Sequence, residues 1–159
     1  MATVRGRWTG SPERAQLLAL YAETDALLQG LSCACSEGGV GATPLAQCCH
    51  FGVTGREPYP TAVELEEVHH AMRASPPPRA DPARLPMAEL RSCPLLSEGG
   101  RCRIYASRPF GCRTFFCGQK LPRDAINAVG RRIADLSARF APTDSGPRSL
   151  VRALSASRR

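Results

Sequence analysis

The chain has 159 residues, enough for one hydrophobic core and short for two, and 43% of it is apolar. Its formal charge of +7 comes almost wholly from arginine, Lys120 being the only lysine, and basic and aromatic residues do not interleave outside one cysteine-rich segment, so a nucleic-acid partner is not expected. The opening MATVRGRWTG lacks the apolar run of a signal peptide, and no stretch approaches the roughly 18 apolar residues that span a bilayer; the cytoplasm is the expected compartment, with no membrane partner.

Residues 1–10 read as a flexible N-terminus. Over 11–29, SPERAQLLALYAETDALLQ predicts a helix: Ser11 is placed to cap it, Pro12 suits its first turn, and Leu17, Leu20, Tyr21, Leu27, Leu28 and Leu31 recur on one side before Gly30 ends it. Residues 32–60 are punctuated by glycine and proline and read as irregular loop carrying four thiols. TAVELEEVHHAMR, residues 61–73, predicts a second helix, with Thr61 and Glu64 in a capping-box pattern and Val63, Leu65, Val68 and Met72 as its apolar side. SPPPRADPARLP, residues 75–86, is an extended connector and not a domain boundary, because cysteines lie on both sides of it.

RCRIYA, residues 101–106, alternates in the manner of a short strand. From Pro122 to Phe140 the positions Ile126, Val129, Ile133, Leu136 and Phe140 keep helical spacing and predict a third helix; one further turn is expected around 148–154. The expected architecture is a mainly α, loop-rich, metal-stabilised domain of α(+β) type over residues 11–141. About three helices pack around cysteine-bearing loops, and a basic tail follows over 142–159.

The eight thiols are Cys33, Cys35, Cys48, Cys49, Cys93, Cys102, Cys112 and Cys117, one group before the second helix and one after the proline connector. In a reducing compartment such thiols serve as ligands or nucleophiles rather than as disulfide partners. A metal held between two distant segments supplies binding energy that becomes folding energy, so all eight are candidate ligands. Structural zinc prefers paired C-x2-4-C knuckles, and only Cys112 and Cys117 have that spacing. Iron–sulfur clusters tolerate irregular spacing, because the inorganic core fixes the geometry, and they carry negative charge.

Arg101, Arg103, Arg108 and Arg113 flank Cys102 and Cys112, where guanidinium groups can offset thiolate or cluster charge. Arg108 and Arg113 are the candidate cofactor-binding residues, and Phe110, Phe115 and Phe116 are placed to exclude water. His50, next to Cys49, is a possible further ligand; His69 and His70 are expected at a solvated helix surface, and Glu57 to stabilise its loop rather than to catalyse.

At CPLLSEGGRCRIYASRPFGCRTFFC and AQCCHFGVTGREPYPTAVELEEV the sequence resembles the YkgJ family of cysteine-cluster proteins, described as zinc- or iron-chelating domains. The matched blocks run roughly from Cys33 to Cys117, about half the chain, and the most specific element is Cys102-Arg103-Ile104-Tyr105 followed by Arg108-Pro109 and Cys112-Arg113. By position, the resemblance implies metal-binding roles for a cysteine upstream of the vicinal pair, for Cys48 and Cys49, and for Cys93, Cys102 and Cys112. The chain departs from the family's CxxCxxCC motif, since twelve residues separate Cys33-Ala34-Cys35 from Cys48-Cys49; which of the first two takes the family role stays open, and Cys117 lies outside the usual core. A related cysteine-rich region occurs in flagellin lysine N-methylases, where an iron–sulfur cluster is implied.

The expected function is therefore coordination of iron as an iron–sulfur cluster in a redox or accessory role, with a redox or other protein as partner. The alternatives are a structural zinc-binding interaction module and a cluster-dependent enzyme or its accessory subunit, although no acid–base constellation marks a substrate pocket.

Overall fold

The structure, a computed structural model, describes residues 8–31, 47–75, 92–115 and 120–156. Cys33, Cys35, Phe116, Cys117 and residues 76–86 of the proline connector lie outside the described residues. The described chain is mainly helical: α1 (Pro12–Leu27), α2 (Phe51–Thr54), α3 (Ala62–Ala74), α4 (Phe110–Arg113), α5 (Arg123–Phe140) and α6 (Leu150–Ala156), with 3-10 turns at Gln47–Cys49 and Tyr105–Ser107.

The three long helices form where apolar spacing and end signals agree. Ser11 Oγ accepts the Arg14 N–H at 3.1 Å at the start of α1, and the Glu64 carboxylate reaches back to the Thr61 N–H at 2.9 Å at the start of α3. α1 and α5 bury Leu17, Leu20, Tyr21, Val129, Ile133 and Leu136 in a first core, which Trp8 and Val63 complete. Burying such side chains is worth about 1.5–3 kcal/mol each before the entropy of ordering them is set against it. Phe140, at the end of the periodic stripe, packs edge-on against Trp8 with ring centroids 5.4 Å apart.

A second core lies across α3. Leu65 and Val68 leave the opposite side of that helix to meet Cys93, Leu95, Ile104, Leu150 and Leu154, with Cys49, Phe51, Met72 and Cys102 packed around them. α3 therefore stands between a helical core and a core made largely of cysteine-bearing loops. Gly130 allows α5 to approach those loops: a Cβ there would lie 3.1 Å from the ring of Phe110.

Three expectations need correction. Residues 101–106 do not form a strand: Cys102 makes one antiparallel bridge to Leu96, and the chain then winds into the 3-10 turn Tyr105–Ser107. A single bridged pair offers no ladder to sustain extended backbone, and Ile104 turns into the second core instead. Residues 8–10, expected within a flexible N-terminus, are ordered into the fold: Trp8 is 3% exposed and donates its indole N–H to Glu67 at 2.9 Å. The segment expected as a basic tail does carry the further turn expected around 148–154, as α6, but it is no loose tail: Leu150 and Leu154 are buried in the second core.

Candidate metal centre

Three separate segments bring five thiols together. The 3-10 turn Gln47–Cys49 supplies Cys48 and Cys49, the bridged turn 93–102 supplies Cys93 and Cys102, and α4 supplies Cys112. One main-chain bond ties the first segment to the second, and others close the turns themselves. The Cys93 N–H donates to the Cys49 carbonyl at 2.6 Å, the Arg103 N–H to the Leu95 carbonyl at 3.0 Å, and the Cys112 N–H to the Pro109 carbonyl at 2.9 Å. Gly100, within the bridged turn 93–102, and Gly55, just after α2, take positive φ, a conformation that suits a residue without Cβ.

All five of these cysteines are free thiols; Cys93 is buried and the others are half-buried. Cys48 is hydrogen-bonded through its side chain to Cys49, and Cys49 in turn to Cys93. Holding its proton toward Cys49 pushes the Cys48 thiol well above the ordinary range, with burial adding to the effect and the nearby charge of Arg108 opposing it. For Cys49 the bond from Cys48 works downward, but the bond to Cys93, burial and the proximity of Cys93 and Cys102 outweigh it, and the thiol is pushed up to about 12. Burial, then the neighbouring Cys49, Cys102 and Cys48, raises Cys112 far above its usual range; burial also raises Cys102, which Arg108 counters.

Among Cys48, Cys49, Cys102 and Cys112, negative charge on one opposes ionising another, a conflict that a bound cation resolves. Among the described residues, no three His, Cys, Asp or Glu side chains stand at the spacing of a bound ion. Cys48 bonds to Cys49 and Cys49 to Cys93, while Cys102 and Cys112 stand close enough for their charges to be felt at the vicinal pair. As a donor set, five sulfurs with a guanidinium beside two of them suit a soft metal or an iron–sulfur core and offer little to magnesium or calcium.

The two candidate arginines occupy different positions. Arg108 lies at the thiols, its guanidinium 3.8 Å from the ring centroid of the exposed Tyr105. Arg113 lies behind them and is 3% exposed: Nη1 donates to Asp25 at 2.6 Å, Nε to the Arg108 carbonyl at 3.0 Å and Nη2 to the Ala106 carbonyl, while its guanidinium carbon sits 4.1 Å from the Tyr21 ring centroid. His50 faces the Ser92 hydroxyl across 3.2 Å through Nδ1. Glu57 accepts from the Ser149 hydroxyl and, at 2.9 Å, from the Val151 N–H, tying its loop to the start of α6. His69 and His70 are half-buried on α3, and burial lowers the pKa of His69.

Periodicity did not reveal the carboxylates behind the site. Glu67 is fully buried and accepts from Trp8, from Arg14 Nε at 2.8 Å and from the Ser107 hydroxyl at 2.9 Å. Glu64 accepts from the Phe110 N–H at 2.7 Å and the Tyr21 hydroxyl at 3.3 Å. The capping-box pattern marks Glu64 as a helix-end residue but carries no sign of these longer-range bonds.

The chain matches no family model, no curated protein and no solved structure. Among the described residues no helix is long and apolar enough to cross a membrane.

Proposed function

We propose that this chain is a cysteine-cluster metal-binding protein whose thiolates hold iron, as an iron–sulfur cluster, in a redox or accessory role. One observation carries the reading: Cys48, Cys49, Cys93, Cys102 and Cys112, drawn from three segments separated by up to 64 positions in sequence, are free thiols gathered on one side of the molecule, with Cys49 bonded to both Cys48 and Cys93, and Cys102 and Cys112 near the vicinal pair. Buried thiols scattered as small apolar residues have no reason to converge in this way. The resemblance at residues 93–117 points in the same direction.

Cys48, Cys49, Cys93, Cys102 and Cys112 are the residues that would hold the group, with Cys33, Cys35 and Cys117 as further sulfurs. Such a cluster supplies reversible one-electron storage when bound. The protein's part is to exclude water and balance charge: Leu95, Ile104 and Leu154 form an apolar backing beside Cys93 and Cys102, and Arg108 lowers the cost of negative charge at Cys48 and Cys102. An exposed Tyr105 stacked on Arg108 places an aromatic edge between that charge and solvent, where a redox partner protein would dock.

Purification without oxygen, followed by assay of iron, zinc and acid-labile sulfide per chain and by visible spectra with and without dithionite, tests the proposal. Iron with matching sulfide and a brown colour that bleaches on reduction are expected. Stoichiometric zinc without sulfide overturns the redox reading in favour of a structural zinc module, and well-folded protein free of metal overturns both. Cys102→Ala and Cys112→Ala should each lower metal content sharply; retention of metal in both removes these residues from the site.

A further inference from the structure

The loop from Cys102 to Cys112 is held from behind by charged side chains at closely spaced points. Glu67 takes the Ser107 hydroxyl, Glu64 takes the Phe110 N–H, and Arg113 takes the carbonyls of Ala106 and Arg108. This stretch is a 3-10 turn running into a four-residue helix, with too little regular structure to satisfy its own backbone groups. Arg113 bonds this loop directly to α1, through the Asp25 carboxylate at 2.6 Å and the face of Tyr21.

We infer that Arg113 is a positioning residue of the metal site: by gripping the carbonyls of Ala106 and Arg108 while anchored to Asp25 and Tyr21, it sets the loop so that Arg108 and Cys112 stand at the other thiols before any metal arrives. The inference rests on the metal-binding reading and assigns Arg113 a role through the backbone rather than by contact with a bound centre. Arginine is required because a planar fork reaches one carboxylate and two carbonyls at once. Lysine keeps the charge, and with it the pairing to Asp25, but cannot span all three acceptors.

The full-length, metal-stripped protein is titrated with cobalt(II), read by the thiolate-to-cobalt charge-transfer band, and its cysteines are separately alkylated and mapped by mass. Arg113→Lys should weaken cobalt binding about 10- to 100-fold and speed alkylation of Cys112 several-fold, with helical circular dichroism preserved. Asp25→Asn, at a half-exposed position, should change both measurements in the same direction and covers the case in which Arg113→Lys does not fold. Ile133→Val, which loosens the first core but removes none of the groups that Arg113 bonds, should leave both at the wild-type level.

Wild-type cobalt affinity and wild-type Cys112 alkylation in Arg113→Lys and Asp25→Asn overturn the positioning role, as does an equal loss in Ile133→Val. If the wild-type protein gives no thiolate band, the metal-binding reading fails, and the Cys112 alkylation contrast still decides whether Arg113 sets the loop.

Discussion

Glu67 shows how much of this protein rests on single buried charges. A carboxylate removed from water is costly unless it is hydrogen-bonded, and Glu67 meets the indole of Trp8, the guanidinium of Arg14 and the hydroxyl of Ser107. Burial pushes its pKa up, but the bonds from Arg14, Trp8 and Ser107 outweigh this and hold the carboxyl below the usual range. A pKa depressed by folding means that its stabilising contribution is complete above the unfolded value and is lost as the pH falls through the folded one. Glu67→Gln should therefore lower stability at pH 7 by about 2 kcal/mol, measured by urea unfolding, and the gap from wild type should close below the ordinary carboxylate range. A gap of constant size at acid pH would contradict this account. The sequence hid this residue because Glu67 sits among charges in ELEEVHH, and only the fold brings Trp8 and Ser107, 59 and 40 positions away, to the same carboxylate.

At the scale of elements, α1, α3 and α5 were legible because repeated apolar spacing and end signals reinforce one another over 13 to 18 residues. Of the shorter elements only α6 was, as a turn expected around 148–154. Residues 101–106 alternate like a strand, yet pairing needs a partner, and one bridge at Cys102 is all the neighbouring turn provides. α2 and α4 are single turns whose shape is set by what they pack on and by their hydrogen bonds to other segments, which local composition does not encode. α6 looked peripheral for the same reason, although Leu154 is 2% exposed among residues that surround Cys93. Leu154→Ala should cost about 2–5 kcal/mol in urea unfolding and should raise the alkylation rate of Cys93. Unchanged Cys93 reactivity would show that α6 does not support the thiol-bearing core.

For the molecule as a whole, the candidate site was legible as a list of thiols and not as a place. Cysteine count and spacing named Cys48, Cys49, Cys93, Cys102 and Cys112, but their order around one another, and the separation of Arg108 at the thiols from Arg113 behind them, depend on the way α1 and α3 frame the loop. α3 gives Val63 to one core and Leu65 and Val68 to the other, so each interior is closed by the same helix. Neither half can melt while its neighbour stays intact, since losing this partition exposes both at once. Calorimetry of the metal-free protein should accordingly record one heat-absorption peak with equal calorimetric and van't Hoff enthalpies, and two resolved peaks would show that the halves come apart separately.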